Sequence, residues 1–152
     1  MTEAVAPQSL SACDPIPPAL VLDTNIVLDA WVFGDAAALP LITGLPQGRW
    51  RWLATAAMRA ELVRVLTYPQ IVKSLAHHLI SSQAVLDKFD ALAEVVAVAS
   101  KAPVTCKDPD DQKFIDLAVA HQATLLSKDR AVLCMEKRLL TLGVTAGAAI
   151  KL

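Results

Sequence analysis

The sequence predicts an α/β fold, a three-layer α/β/α sandwich around a central, mainly parallel sheet. Three observations predict it. Short apolar runs without polar alternation, such as Ala19–Leu22 and Thr124–Ser127, suit strands buried on both faces. Stretches of helical spacing lie between them, which is the pattern of a parallel sheet with crossover helices. The chain has 152 residues, 55% hydrophobic but only 5% aromatic. Its core must therefore be built from Leu, Val, Ala and Ile, and a chain of this length can bury one without disulfides.

Residues 1–18, rich in Ala, Ser and Pro, read as a disordered N-terminal tail, and residues 19–152 as a single domain. Ala19-Leu20-Val21-Leu22 predicts a central strand ending at Asp23, with a helix beginning near Ile26. Asp35 to Leu45 predicts a second helix, closed by Gly44 and Pro46. Arg49 to Ala54, where Trp50 and Trp52 alternate with arginines, predicts a strand with one wetter face. Thr55 is an N-cap for a helix to Leu66, which Tyr68-Pro69 breaks. A helical hairpin follows, Gln70–His78 then Ser81–Val96, and a short strand near Val104. Asp110–His121 predicts a helix, Thr124–Ser127 a strand, and Arg130–Leu142 a helix with Gly143 in a left-handed position. Val144 to Leu152 has room for a short edge strand.

The net charge is −1, so bulk electrostatics does not mark the chain as a nucleic-acid binder. A site made of carboxylates nevertheless reverses its local field when it binds cations. Three cysteines without CxxC spacing argue against a disulfide framework or zinc knuckle and read as reduced thiols in the cytoplasm. The first residues lack the basic and apolar regions of a signal peptide, and no apolar run reaches the ~18 residues needed to span a bilayer.

Two acids directly follow strands, Asp23 and Asp129, where an open parallel sheet presents functional groups. Asp111 lies in a helix's first turn, and Glu61 sits inside a helix among apolar neighbours. Oxygen ligands of this kind suit Mg2+ or Mn2+, and the ions relieve the repulsion of clustered acids. Such a cluster can activate water and neutralise charge at phosphorus. Each acid also has a plainer reading. Asp129 and Asp111 can serve as helix caps, and Glu61 can be an exposed acid paired with Arg59 or Arg64. Asp23, interrupting a buried strand end, is the hardest to explain in that way. A haloacid-dehalogenase-like phosphatase needs a second Asp where Asn25 stands, and a receiver domain needs an acidic pair before its first strand that this chain lacks.

Val21-Leu22-Asp23-Thr24-Asn25 resembles the opening motif of PIN-domain ribonucleases. Thr55–Leu66 (TAAMRAELVRVL) is similar to that family's helix with a single Glu, and Leu125–Leu133 (LLSKDRAVL) to its strand with a terminal Ser/Thr-x-Asp. Asp108–Ala118 (DPDDQKFIDLA) resembles the Asp-rich helix start of a PIN branch regarded as toxins of toxin–antitoxin systems, and the likeness runs in order over residues 19–145.

The resemblance implies a PIN-like fold and a Mg2+- or Mn2+-dependent endoribonuclease with Asp23, Glu61, Asp111 and Asp129 as its metal cluster. It implies RNA as substrate, a cognate antitoxin as partner, a homodimer and no membrane. A catalytically weak PIN-like scaffold binding RNA or protein is the alternative. Asp111 is preferred because it shares the family's packing register with Phe114 and Ala118, and Asp108, before Pro109, becomes the helix cap. Gln112 stands where the branch often has a further Asp. Thr24 and Asn25 belong to the motif, and Asn25 is expected to orient Asp23 by a hydrogen bond. Ser127 either touches a metal-bound water or phosphate or simply ends its strand. Lys128 and Arg130 either contact RNA phosphates or are solvated charges. Arg49, Arg51, Arg59, Arg64, Lys107 and Lys113 are further candidates for a phosphate-binding rim. The apolar stretch Val95–Val98 is either a dimer surface or core.

Overall fold

The computed structural model describes residues 16–150; the expected tail up to residue 15 lies outside the described residues. At the end of that expected tail, the Pro18 carbonyl already accepts a hydrogen bond from Arg51 N–H at 2.9 Å. Five parallel strands form one sheet: β1 (Ala19–Leu22), β2 (Arg51–Ala54), β3 (Ala93–Val95), β4 (Thr124–Leu126) and β5 (Ala146–Gly147). Their order is β3-β2-β1-β4-β5. From β1 the chain works outward through β2 to β3, then crosses back past β1 to β4 and on to β5. The strand order therefore reverses between β1 and β4. Right-handed crossovers place the helices before and after that reversal on opposite faces of the sheet, giving the expected three layers.

The first layer holds α1 (Thr24–Leu28), α2 (Leu39–Gly44), α3 (Ala56–Val65), α4 (Pro69–His77) and α5 (Ser82–Leu92). α1 widens into a π turn, Asp29–Phe33, that ends at Gly34 with φ +62°. A 3-10 turn, Ala36–Ala38, precedes α2, and Asp35 caps it at Ala37 N–H. Thr55 caps α3 at Met58 N–H, as its position predicts. The second layer holds α6 (Gln112–His121), α7 (Arg130–Leu133) and α8 (Glu136–Thr141). A 3-10 turn, Pro109–Asp111, leads into α6. Gly143 takes φ +80°, and the Val144 N–H reaches back to the Leu139 carbonyl to close α8.

β1, β2 and β4 are mostly apolar because both their faces are covered beyond the first residue of β2 and β4: Leu20, Val21, Leu53 and Leu125 are almost completely buried. Trp52 anchors the first layer. Its ring stacks on Trp31 (centroids 5.3 Å apart, planes 7° apart) and meets Phe89 edge-on at 5.1 Å.

Three expectations need correction. The helix expected to run from Ser81 to Val96 stops at Leu92, because Ala93–Val95 pairs with β2 and becomes the edge strand β3. The Arg51–Glu94 ion pair, at 2.9 Å, ties that edge across the two strands. The strand expected near Val104 is irregular instead, and the Val104 carbonyl accepts from the Gln112 and Lys101 side chains. The helix expected over Arg130–Leu142 breaks at Cys134-Met135 into α7 and α8. β5 occupies the room left for a short edge strand after Val144. Among the described residues, no single helix is long and apolar enough to cross a membrane.

Candidate metal centre

The sheet reverses its strand order between β1 and β4, and the crevice beyond the carboxyl ends of such strands is where α/β folds place ligands. Asp23 is the first residue after β1, and its N–H still bonds to Leu126 O on β4 at 2.9 Å. Asp129 lies three residues past β4 and begins α7, while Asp111 closes the 3-10 turn ahead of α6. One carboxylate oxygen from each of the three lies within 4.8 Å of the others.

Each acid is held in place. Ser127, completely buried, donates its hydroxyl to Asp23 Oδ2 at 2.6 Å and accepts from Asp129 N–H at 3.0 Å. Ser127 thus links the two acids that follow the two central strands. Asp129 Oδ1 accepts from Ala131 N–H at 2.9 Å, so the helix-cap reading and membership of the cluster hold together. Asp108 caps the 3-10 turn at Asp110 N–H, 3.0 Å away, as expected of it. Asp111 is buried, and its Oδ2 is the one buried side-chain oxygen or nitrogen without a hydrogen-bond partner among the described residues.

The electrostatics follow from this crowding. Burial, then contact with Asp129, then the charges of Asp23, Asp129 and Asp108 push the Asp111 carboxyl up to about 8. Burial also raises Asp23, against the stabilising hydrogen bond from Ser127. Buried like charges with an orphaned oxygen are the sign of a missing counter-charge. The donors are all carboxylate oxygens, so the residues fit a hard divalent cation of the Mg2+ or Mn2+ kind.

Glu61, the fourth acid, stands beside the three rather than among them. The Thr24 hydroxyl donates to its Oε2, and Lys113 Nζ lies 2.7 Å from its Oε1. Its charge still raises Asp23. Asn25 is exposed, and the side chain that bonds to the Asp23 carboxylate is that of Ser127, in place of the Asn25 bond expected. Lys128 turns away from the cluster to Asp29, at 2.6 Å, and this pairing raises its pKa. Arg130 is exposed at the start of α7. Of the other rim candidates, Arg51 and Arg59 are engaged by Glu94 and Asp90, whereas Arg49, Arg64 and Lys107 are exposed.

Two contributions escaped the sequence. Gln112 is a staple: its side chain accepts from Cys106 N–H at 2.6 Å and donates to Val104 O and to Asp116. It holds the loop before the Asp111 turn against α6. Lys113 is fixed in the site rather than free at its rim. Local motifs give no warning of either: Gln112 bonds mainly to backbone groups of the irregular loop before it, and Lys113 pairs with Glu61 on α3.

An α/β sheet with three carboxylates gathered at its reversal point defines a candidate metal-dependent hydrolytic centre. The PIN domain family model matches residues 19–131, well over half of the chain, and the protein belongs to the PIN domain family. PIN domains are generally metal-dependent nucleases. Comparison with curated proteins found no match.

Proposed function

We propose that this chain is a Mg2+- or Mn2+-dependent endoribonuclease that hydrolyses RNA phosphodiester bonds, with Asp23, Glu61, Asp111 and Asp129 as its acidic site. The observation that carries this reading is the meeting of Asp23, Asp111 and Asp129 at the sheet's reversal point, with Asp111 Oδ2 buried and unpartnered. Asp23, Asp111 and Asp129 would hold the cation. When bound, such an ion lowers the pKa of water and offsets charge on a reacting phosphate. The protein's own groups prepare the place. Ser127 orients Asp23, the α7 cap orients Asp129, and Asp111, whose pKa is raised, would hold the cation as a carboxylate once it has lost its proton. Arg130, exposed next to Asp129, is the candidate for contacting a phosphate, whereas Lys128 is already paired with Asp29. Water attacks the phosphorus in line, the bond to O3′ breaks, and the products carry 5′-phosphate and 3′-hydroxyl ends.

The likeness of Asp108–Ala118 to the toxin branch supports a cytoplasmic role as the toxin of a type II toxin–antitoxin pair, neutralised by a cognate antitoxin. Val95 and Val98 are exposed at the open edge β3 and support a homodimer, while Val96 of the same stretch packs against the core.

The test is incubation of the purified chain with defined single-stranded RNAs and Mn2+, with EDTA and Asp129→Asn controls. Asn retains the α7 cap, so that variant should fold. Cleavage that needs the metal and Asp129, and leaves 5′-phosphates, is the expected result. No metal-dependent cleavage across several substrates would sink the nuclease reading.

A further inference from the structure

Glu61 and the three aspartates differ in one respect that bears on how many cations the site takes. In the three-aspartate cluster a buried oxygen, Asp111 Oδ2, has no partner. On Glu61 both oxygens are taken, one by the Thr24 hydroxyl and one by the Lys113 ammonium. Lys113 is not a loose surface charge. Its Nζ contacts Glu61 Oε1 at 2.7 Å, donates to the Asp110 carbonyl, and lies 4.9 Å from the centre of the Phe114 ring. The side chains of the pair are 29% and 14% exposed, so water screens their attraction only in part.

We propose that the Lys113 ammonium takes the place of a second cation, so that the site holds a single divalent ion on Asp23, Asp111 and Asp129. This rests on the cation-site reading above. An ammonium neutralises a carboxylate as a metal ion does but offers no ligand position to water or phosphate. A second ion shared by Glu61 and Asp23 would have to expel Lys113 and leave that ammonium beside Asp111's helix without its counter-charge. Lys113 lies on α6, two residues after Asp111, and Glu61 on α3, so the pair also fastens the second layer to the first at the edge of the site.

Mn2+ titration of the full chain tests this, with heat measured calorimetrically and bound Mn2+ counted by electron paramagnetic resonance. Wild type should bind one ion. Lys113→Met should admit a second, with its affinity raised roughly tenfold or more over any second binding to wild type. Lys113→Arg, which keeps the positive charge, should remain at one. Circular dichroism checks the fold of each variant, and Lys113→Gln replaces the Met variant if that one fails to fold. Two ions in wild type, or one ion in whichever neutral variant folds, would overturn the role given to Lys113. Absence of any binding to wild type would instead overturn the cation-site reading itself.

Discussion

Replacing Asp111 with Asn should stabilise the metal-free protein while abolishing its response to metal. In the folded chain the Asp111 carboxyl titrates near 8 rather than at its ordinary 3.8. An acid whose pKa is higher folded than unfolded takes up a proton on folding. Its contribution to stability is full below the unfolded pKa and is lost as pH rises through the folded one, here between pH ~4 and ~8. At pH ~7 the loss reaches at most about 4 kcal/mol, at ~1.4 kcal/mol per pH unit. The strain is shared with Asp23 and Asp129, so the substitution should recover about 1–2 kcal/mol of it. That corresponds to a Tm higher by roughly 3–8 °C for a chain of this size. An Asn amide would also donate to the neighbouring Asp129 carboxylate at every pH, which the Asp111 carboxyl can do only while it keeps its proton. The assay is thermal unfolding of both proteins from pH ~5 to ~8, in EDTA and in Mn2+. Asp90 and Glu94, lowered by their arginine partners, have finished titrating below this window. Wild type in EDTA should lose Tm as pH rises, and Mn2+ should restore it; Asp111→Asn should show less of the pH dependence and none of the Mn2+ effect. A wild-type Tm that rises with pH across the window, or a destabilised Asn variant at its upper end, would refute the electrostatic reasoning.

Other consequences are more local. Ser127→Ala removes the hydroxyl that bridges Asp23 and the Asp129 N–H, and should cost about 1–3 kcal/mol in urea unfolding while weakening Mn2+ binding. Gln112→Ala frees Cys106 N–H and leaves Val104 O to Lys101 alone, so amide exchange over residues 102–106 should accelerate while the core strands stay protected. The Arg51–Glu94 pair is exposed at 38% and 51%, and a double-mutant cycle should assign it less than about 1 kcal/mol despite its two hydrogen bonds.

The elements nearest the site are those that local sequence marks most strongly. An acid that ends an apolar run, as at Asp23, leaves little room for another reading, and β1 and β4 stand where such runs predict them. The resemblance's packing register with Phe114 and Ala118 is what favours Asp111 over Asp108; in the structure Asp111 lies with Asp23 and Asp129, and Asp108 caps the 3-10 turn. β3 was hidden because Ala93–Val95 continues a helix-compatible apolar stretch; only pairing with β2, and Arg51 reaching Glu94, makes it a strand. The partners of Glu61 were hidden for a similar reason. Arg59 and Arg64 lie within one helical turn of it, but Arg59 turns to Asp90, and Lys113 arrives from the opposite layer. Lys128 shows the limit of reading charge from position: beside Asp129 in sequence, it folds back onto the α1 region.

The most direct test of the cluster is a crystal structure of the chain grown with Mn2+, with anomalous scattering used to locate the ion. The expected result is a peak at bonding distance, roughly 2.0–2.6 Å, from oxygens of Asp23, Asp111 and Asp129, with Asp111 Oδ2 no longer unpartnered. A fully folded chain with no peak between these three carboxylates, or with Mn2+ bound only elsewhere, would contradict the assignment of this cluster as the metal centre.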